Sequence, residues 1–203
     1  MNPDFLVKKL KRNFYTRDLQ IVAKELLGKI FVKMDGRSIL SGRIVEVEAY
    51  DGEIDEASHT FIGKTERNKI MFNEGGYLYV YFTYGAHYCC NVVTGKMGKG
   101  TAVLIRALEP IDGLDEMAVN RFGGLISEKE KLNLTNGPGK ICKAFGISKE
   151  HYGIDLTNGN IFIIDMPKLK EEEIIITKRI GIKKSVDLKW RYYIKNNPYV
   201  SKK

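Results

Sequence analysis

Residues Tyr77 to Val92, YLYVYFTYGAHYCCNV, leave the chain little choice of local structure. Tyr77, Tyr79 and Tyr81 alternate with Leu78, Val80 and Phe82, the two-residue period of a strand with bulky side chains on both faces. Tyr84-Gly85-Ala86 then breaks the pattern before a second strand through Tyr88, Cys90 and Val92, so the segment reads as a β-hairpin with a tyrosine at its apex. Small or polar residues normally occupy such tips. A large ring held outward, in a chain of net charge +8, suits a wedge pressed into something anionic and stackable, and DNA answers that description. The competing reading is that Tyr84 packs back onto a neighbouring loop, the commoner fate of a tyrosine near a turn.

The 203 residues suffice for a sizeable core and no compositional break divides them, so one domain over 1–203 is expected. Hydrophobic residues at 43% exclude a disordered chain, and the excess of 33 Lys and Arg over 25 Asp and Glu favours a polyanionic partner. Cys89 and Cys90 are adjacent and Cys142 stands alone, which gives neither a disulfide framework nor a zinc spacing. The opening MNPDFLVKKLKR lacks the apolar stretch of a secretory signal, and no apolar run reaches the ~20 residues that span a bilayer. A reduced, cytoplasmic setting follows, with no metal, cofactor or membrane implied.

Thr16 is the expected cap of a helix running through Asp18 to Leu27, with Leu19, Val22, Ala23, Leu26 and Leu27 at helical spacing and Gly28 as the stop. Strands are expected over Ile30 to Met34 and Ile39 to Tyr50, a short helical piece near Arg67 to Phe72, the hairpin, the loop GKMGKG, and a strand from Thr101 to Leu108. Gly113 to Phe122 reads as helix, NGPGK opens a short helix ending at Gly146, and IFIID, EEEIIITKRIGI and WRYYI read as strands. Helices and strands interspersed without regular parallel units give an α+β fold on a mixed, largely antiparallel sheet.

In GRIVEVEAY, Glu46 and Glu48 lie two apart on a strand and so share a face. Both can be solvated, but Glu48, close to the strand end at Asp51-Gly52, is the better placed to reach a cleft, where a carboxylate kept ionised can orient and deprotonate a water. Arg106, between Ile105 and Ala107 in an apolar strand, requires a buried partner; a purely structural Arg–Glu pair explains it equally well. His59 stands alone in DEASHTF, with no metal spacing to His87 or His151. Asn91, among Cys90, Val92 and Val93, must hydrogen-bond a backbone group or a ligand edge. GKMGKGT fails the phosphate-loop pattern because Thr101 stands where Lys is required. Gly137 and Gly139 beside Lys140 suit a phosphate, although a plain helix start looks the same, and Arg67 is either a second phosphate contact or a helix-surface charge.

Together GRIVEVEAYDG, DEASH, TERNKIMF, LYVYFTYG, CNVVT, VLIRALEP, TNGPGKICKAFGI and the late RIGI resemble, in order from about Asp18 to Ser201, the alkyladenine (3-methyladenine) DNA glycosylase family. The resemblance implies a single-domain mixed fold whose protruding hairpin enters the minor groove of double-stranded DNA, while a damaged purine is flipped into a pocket and its N-glycosidic bond hydrolysed. The substrates implied are 3-methyladenine, 7-methylguanine and, further, hypoxanthine. Glu48 resembles the general base that activates the attacking water, and Arg106 and the main-chain carbonyl of Ile180 the groups that hold that water. Tyr50, His59 and Tyr81 resemble the walls that sandwich the flipped base, Asn91 the residue that crowds out the guanine amino group, and Tyr84 the side chain that fills the vacated gap. Arg67 and Lys140 match basic positions near the DNA backbone. Ala86 departs from the pattern, since a bulkier apolar residue often follows the Tyr-Gly pair, and this narrows the wedge. No lysine matches an imine-forming nucleophile, so a monofunctional enzyme acting as a monomer is expected, with a bifunctional lyase or a non-catalytic nucleic-acid binding module on the same fold as alternatives.

Overall fold

One long strand organises the molecule. In the computed structural model, which describes residues 8–36, 38–83 and 85–202, β1 (Ile30–Asp35) turns through Gly36 towards β2 (Ser38–Tyr50), and β2 is shared by three neighbours. β5 (Thr101–Asp112) runs along one edge of it, and the other edge takes β1 over its first half and β8 (Arg191–Ile194) over Glu46–Glu48. The hairpin β3 (Leu78–Thr83) and β4 (His87–Thr94) extends the β5 edge, β6 (Ile161–Ile164) borders β1, and β7 (Ile174–Thr177) borders β8. Every pairing is antiparallel, so the fold is α+β as expected.

The two faces of this sheet have different fates because side chains alternate. Leu78, Val80, Cys90, Val92, Val103, Ile105, Val47 and Ala49 enter the main core. Helix α2 (Leu19–Leu26) closes that core with Val22, Ala23 and Leu26, all fully buried, following a short α1 (Arg12–Tyr15). α5 (Pro138–Ala144) packs on β4 and β5 and α3 (Leu114–Phe122) on α5, with the short α4 (Glu128–Leu132) between them in the chain. α3 begins at Gly113, where φ is +79° and an added Cβ would lie 2.4 Å from Leu40, so only glycine fits.

Three local expectations are corrected. The cap of α2 is Asp18, whose carboxylate accepts from the amides of Gln20 and Ile21 (2.9 and 3.2 Å); the Thr16 hydroxyl instead reaches back to the Asn13 carbonyl, at the end of α1. The helical piece near Arg67 is a 3₁₀ turn over Lys69–Phe72 that excludes Arg67. Of EEEIIITKRIGI only Ile174–Thr177 is strand, since Glu171–Glu173 form a 3₁₀ turn and Arg179 turns its side chain inward, ahead of Gly181 at φ +77°.

Candidate active site

The face opposite the main core carries the site, and register builds it. Tyr79 pairs with Asn91, Asn91 with Leu104, Leu104 with Glu48 and Glu48 with Arg191, a single row across β3, β4, β5, β2 and β8. Tyr81 opposite Cys89 forms the next pair along the hairpin. Two of the three irregularities in the β2–β5 ladder lie beside the site: Ile44 pairs with Leu108, Glu46 with Ala107 and Val47 with Ile105. Val45 is therefore the extra residue on β2 and Arg106 the extra residue on β5, and such bulges re-aim side chains. Here the effect is to bring Arg106 between both glutamates, with Nε 3.0 Å from Glu46 Oε1 and Nη1 3.3 Å from Glu48 Oε1.

Both carboxylates are fully buried, but their surroundings differ. Glu46 is enclosed by Arg106, by Arg191 Nε at 2.7 Å, and by the amide and hydroxyl of Ser201 at 2.7 and 2.9 Å. Glu48 accepts from the Tyr50 hydroxyl (2.7 Å, Oε2) and from the Ile180 amide (2.8 Å, Oε1), alongside Arg106. Those three partners all line a cavity of about 550 Å³, so Glu48 lies directly behind its wall. The Ile180 contact runs through the N–H, the opposite polarity to the carbonyl that the resemblance names. Burial pushes the Tyr50 phenol up, and the Glu48 charge adds to it, so Tyr50 stays a donor. Burial opposes the Arg106 charge, yet Glu48 and Glu46 together raise its pKa.

The cavity walls are aromatic. Tyr79 and Tyr81 stack at 5.4 Å, and the His59 ring stands edge-on to Tyr81 at 4.5 Å with Nδ1 2.9 Å from the Tyr79 hydroxyl. Burial, and secondarily Arg67, lower the His59 pKa, so at neutral pH this ring is uncharged. Burial also raises Tyr79 to about 12. Asn91, 4% exposed, donates its amide to the Tyr79 carbonyl at 3.2 Å and presents its side chain to the cavity. Glu56, Pro138 and the segment Ile180 to Lys184 form the rim.

The structure thus gathers Glu48, Arg106, Ile180, Tyr50, His59, Tyr81 and Asn91 into one site. Arg67 lies outside the lining, donating to the Phe82 carbonyl at 3.0 Å with its guanidinium 5.5 Å from the Tyr81 ring centre. Lys140 also lies outside the lining, on α5, where Nζ bonds Asn136 at 2.6 Å and Asn133 at 3.4 Å. Tyr84 falls outside the described residues. Two features escaped the sequence: the buried pair of Asp55 and Arg179, and the closure of Glu46 by Arg191 and Ser201. Arg179 stands between Lys178 and Ile180, without the apolar neighbours on both sides that singled out Arg106, so the sequence offered no such signal for the first.

Among the described residues no three His, Cys, Asp or Glu side chains gather as a metal site, and no helix is long and apolar enough to cross a membrane.

Comparison with known proteins places the chain beside named relatives. A model of the family described as methylpurine-DNA glycosylase matches residues 13–198. A protein of Clostridium novyi (strain NT) named "Putative 3-methyladenine DNA glycosylase" is 50% identical over 97% of this chain and 100% of its own length. Relatives bearing the same name in Carboxydothermus hydrogenoformans (48% identical, 96% of this chain and 99% of the relative) and Chlorobaculum tepidum (44% identical, 97% and 92%) are similar along nearly their whole length.

Proposed function

The chain belongs to the methylpurine-DNA glycosylase family, and from that premise we propose that it is a monofunctional glycosylase that removes alkylated purines from duplex DNA. Of the substrates, 3-methyladenine heads the proposal, with 7-methylguanine and hypoxanthine after it. The observation that carries this reading is a fully buried carboxylate, Glu48, whose hydrogen-bond donors Tyr50 and Ile180 and ion-pair partner Arg106 all line one aromatic-walled cavity.

Loss of a purine leaves an oxocarbenium-like sugar, so a carboxylate at that point both stabilises positive charge and prepares a water for attack. Arg106 and the Ile180 amide hold Glu48 by Oε1, and the Tyr50 hydroxyl holds it by Oε2. A purine alkylated at N3 or N7 is a cation, which gains from the faces of Tyr50 and Tyr81 and meets no repulsion from a neutral His59. Such a leaving group needs little acid assistance. Asn91, fixed at the cavity wall by the Tyr79 carbonyl, is placed to exclude the guanine amino group. Tyr84 fills the gap in the stack, while Arg67 and Lys140 meet phosphates; Lys140 suits that task because its bonded neighbours Asn133 and Asn136 are neutral amides.

The test is excision from a panel of duplexes, each with a single lesion. Heat- or alkali-labile abasic sites without prior strand nicking are expected. Absence of abasic sites across the panel would leave a binding module in which Glu48 and Arg106 pair structurally, and a borohydride-trapped adduct would indicate lyase chemistry instead.

A further inference from the structure

The buried pair of Arg179 and Asp55 is unused by the mechanism above, yet it touches that mechanism at two points. Both side chains are fully shielded from solvent, with Arg179 Nη2 2.7 Å from Asp55 Oδ1 and Nη1 bonded to Oδ2. Nη1 also donates to the Ala49 carbonyl at 3.0 Å, the residue between Glu48 and Tyr50. The guanidinium lies over the Tyr50 ring at 4.6 Å and over Trp190 at 5.6 Å, and its Nε has no hydrogen-bond partner among the described residues, as a group held between two rings would. Tyr50 lines the cavity and Arg179 does not, so the arginine backs the ring rather than competing for its open face. Ile180, whose amide holds Glu48, is the next residue in the chain.

We propose that Arg179, anchored by Asp55, is a positioning residue for excision, holding the Tyr50 ring and the Ile180 amide against Glu48. The proposal rests on the reading of Glu48 as the base. A planar guanidinium does three things here that an ammonium cannot do together: it forms a fork to Asp55, bonds the Ala49 carbonyl and stacks on Tyr50. Arg179→Lys keeps the charge and loses the geometry. A displacement of Tyr50 and Ile180 by about 1 Å is enough to slow a chemical step on the order of 100-fold.

The experiment is single-turnover excision by Arg179→Lys, normalised to the active fraction from titration with a lesion duplex, beside lesion-duplex affinity and Tm. The expected result is a rate constant lowered by roughly 10- to 100-fold in the active fraction, with affinity nearly unchanged. Tyr50→Phe should then cost less in the Arg179→Lys background than in the wild type, because the hydroxyl it removes is already misplaced. Asp55→Asn, which retains the guanidinium and loosens its anchor, should show the same split in smaller degree and serves if Arg179→Lys does not fold. A merely structural pair lowers Tm and the active fraction while each active molecule excises at the wild-type rate; that outcome in Arg179→Lys, or in Asp55→Asn where it is the variant that folds, overturns the proposal. Should Glu48→Gln still excise, the reading of the site itself fails; should it be inactive while Arg179→Lys excises normally, only the role of Arg179 fails.

Discussion

Glu46→Gln separates the two carboxylates that share Arg106. Glu46 is wholly buried and accepts four hydrogen bonds: from Arg106 Nε (3.0 Å), from Arg191 Nε (2.7 Å), and from the amide and hydroxyl of Ser201 (2.7 and 2.9 Å). Removing one member of a buried ion pair costs roughly 3–5 kcal/mol, because the remaining charge stays desolvated. Glutamine keeps the volume and one oxygen, which places the loss near the lower end, about 3 kcal/mol, and at ~2–4 °C per kcal/mol for a chain of this size the Tm falls by about 6–12 °C. Urea unfolding followed by far-UV circular dichroism and by the fluorescence of Trp190 should show the lower midpoint at unchanged slope. Glu48 faces one guanidinium at 3.3 Å rather than two, so Glu48→Gln should destabilise less while removing more activity. A Glu46→Gln variant within about 0.5 kcal/mol of wild type would refute the view that Glu46 is the charge that fixes Arg106 and Arg191.

Three further outcomes are expected. The Tyr15 hydroxyl is buried without a hydrogen-bond partner among the described residues, so Tyr15→Phe should leave stability unchanged or raise it by up to about 1 kcal/mol; a loss would mean that the hydroxyl is satisfied. Because burial and Arg67 lower the His59 pKa, the unfolded chain takes up a proton near pH 6.5 that the native ring resists. Stability should therefore be full above that value and decline as pH falls below it towards the lower native pKa; His59→Gln should flatten the decline, leaving the part due to His151, whose pKa burial also lowers. Tyr84→Ser should weaken lesion capture and flipping more than folding, measured as lesion-duplex affinity against Tm, whereas a tyrosine packed onto the protein would show the reverse.

The hairpin was legible because Tyr77 to Phe82 alternate without interruption, and the α+β class because strands and helices intersperse. Glu48 and Arg106 could be singled out as charges in apolar strands. Their meeting could not be derived from periodicity, since the extra residues Val45 and Arg106 shift the β2–β5 register, and a bulge leaves no compositional mark in GRIVEVEAY or TAVLIRAL. The closure of Glu46 by Ser201 joins positions 155 residues apart, and that of Asp55 by Arg179 joins positions 124 apart; no local pattern encodes either. The choice between Thr16 and Asp18 as the cap of α2 turned on two residues that both cap well, and α1, ending just before, decided it.

Under the proposed function Glu48 carries out hydrolysis rather than merely pairing with Arg106. Single-turnover excision by Glu48→Gln on a lesion duplex, with binding to the same duplex measured in parallel, separates the two roles. Binding close to wild type with excision lost is the predicted result; abasic sites formed at the wild-type rate would contradict it.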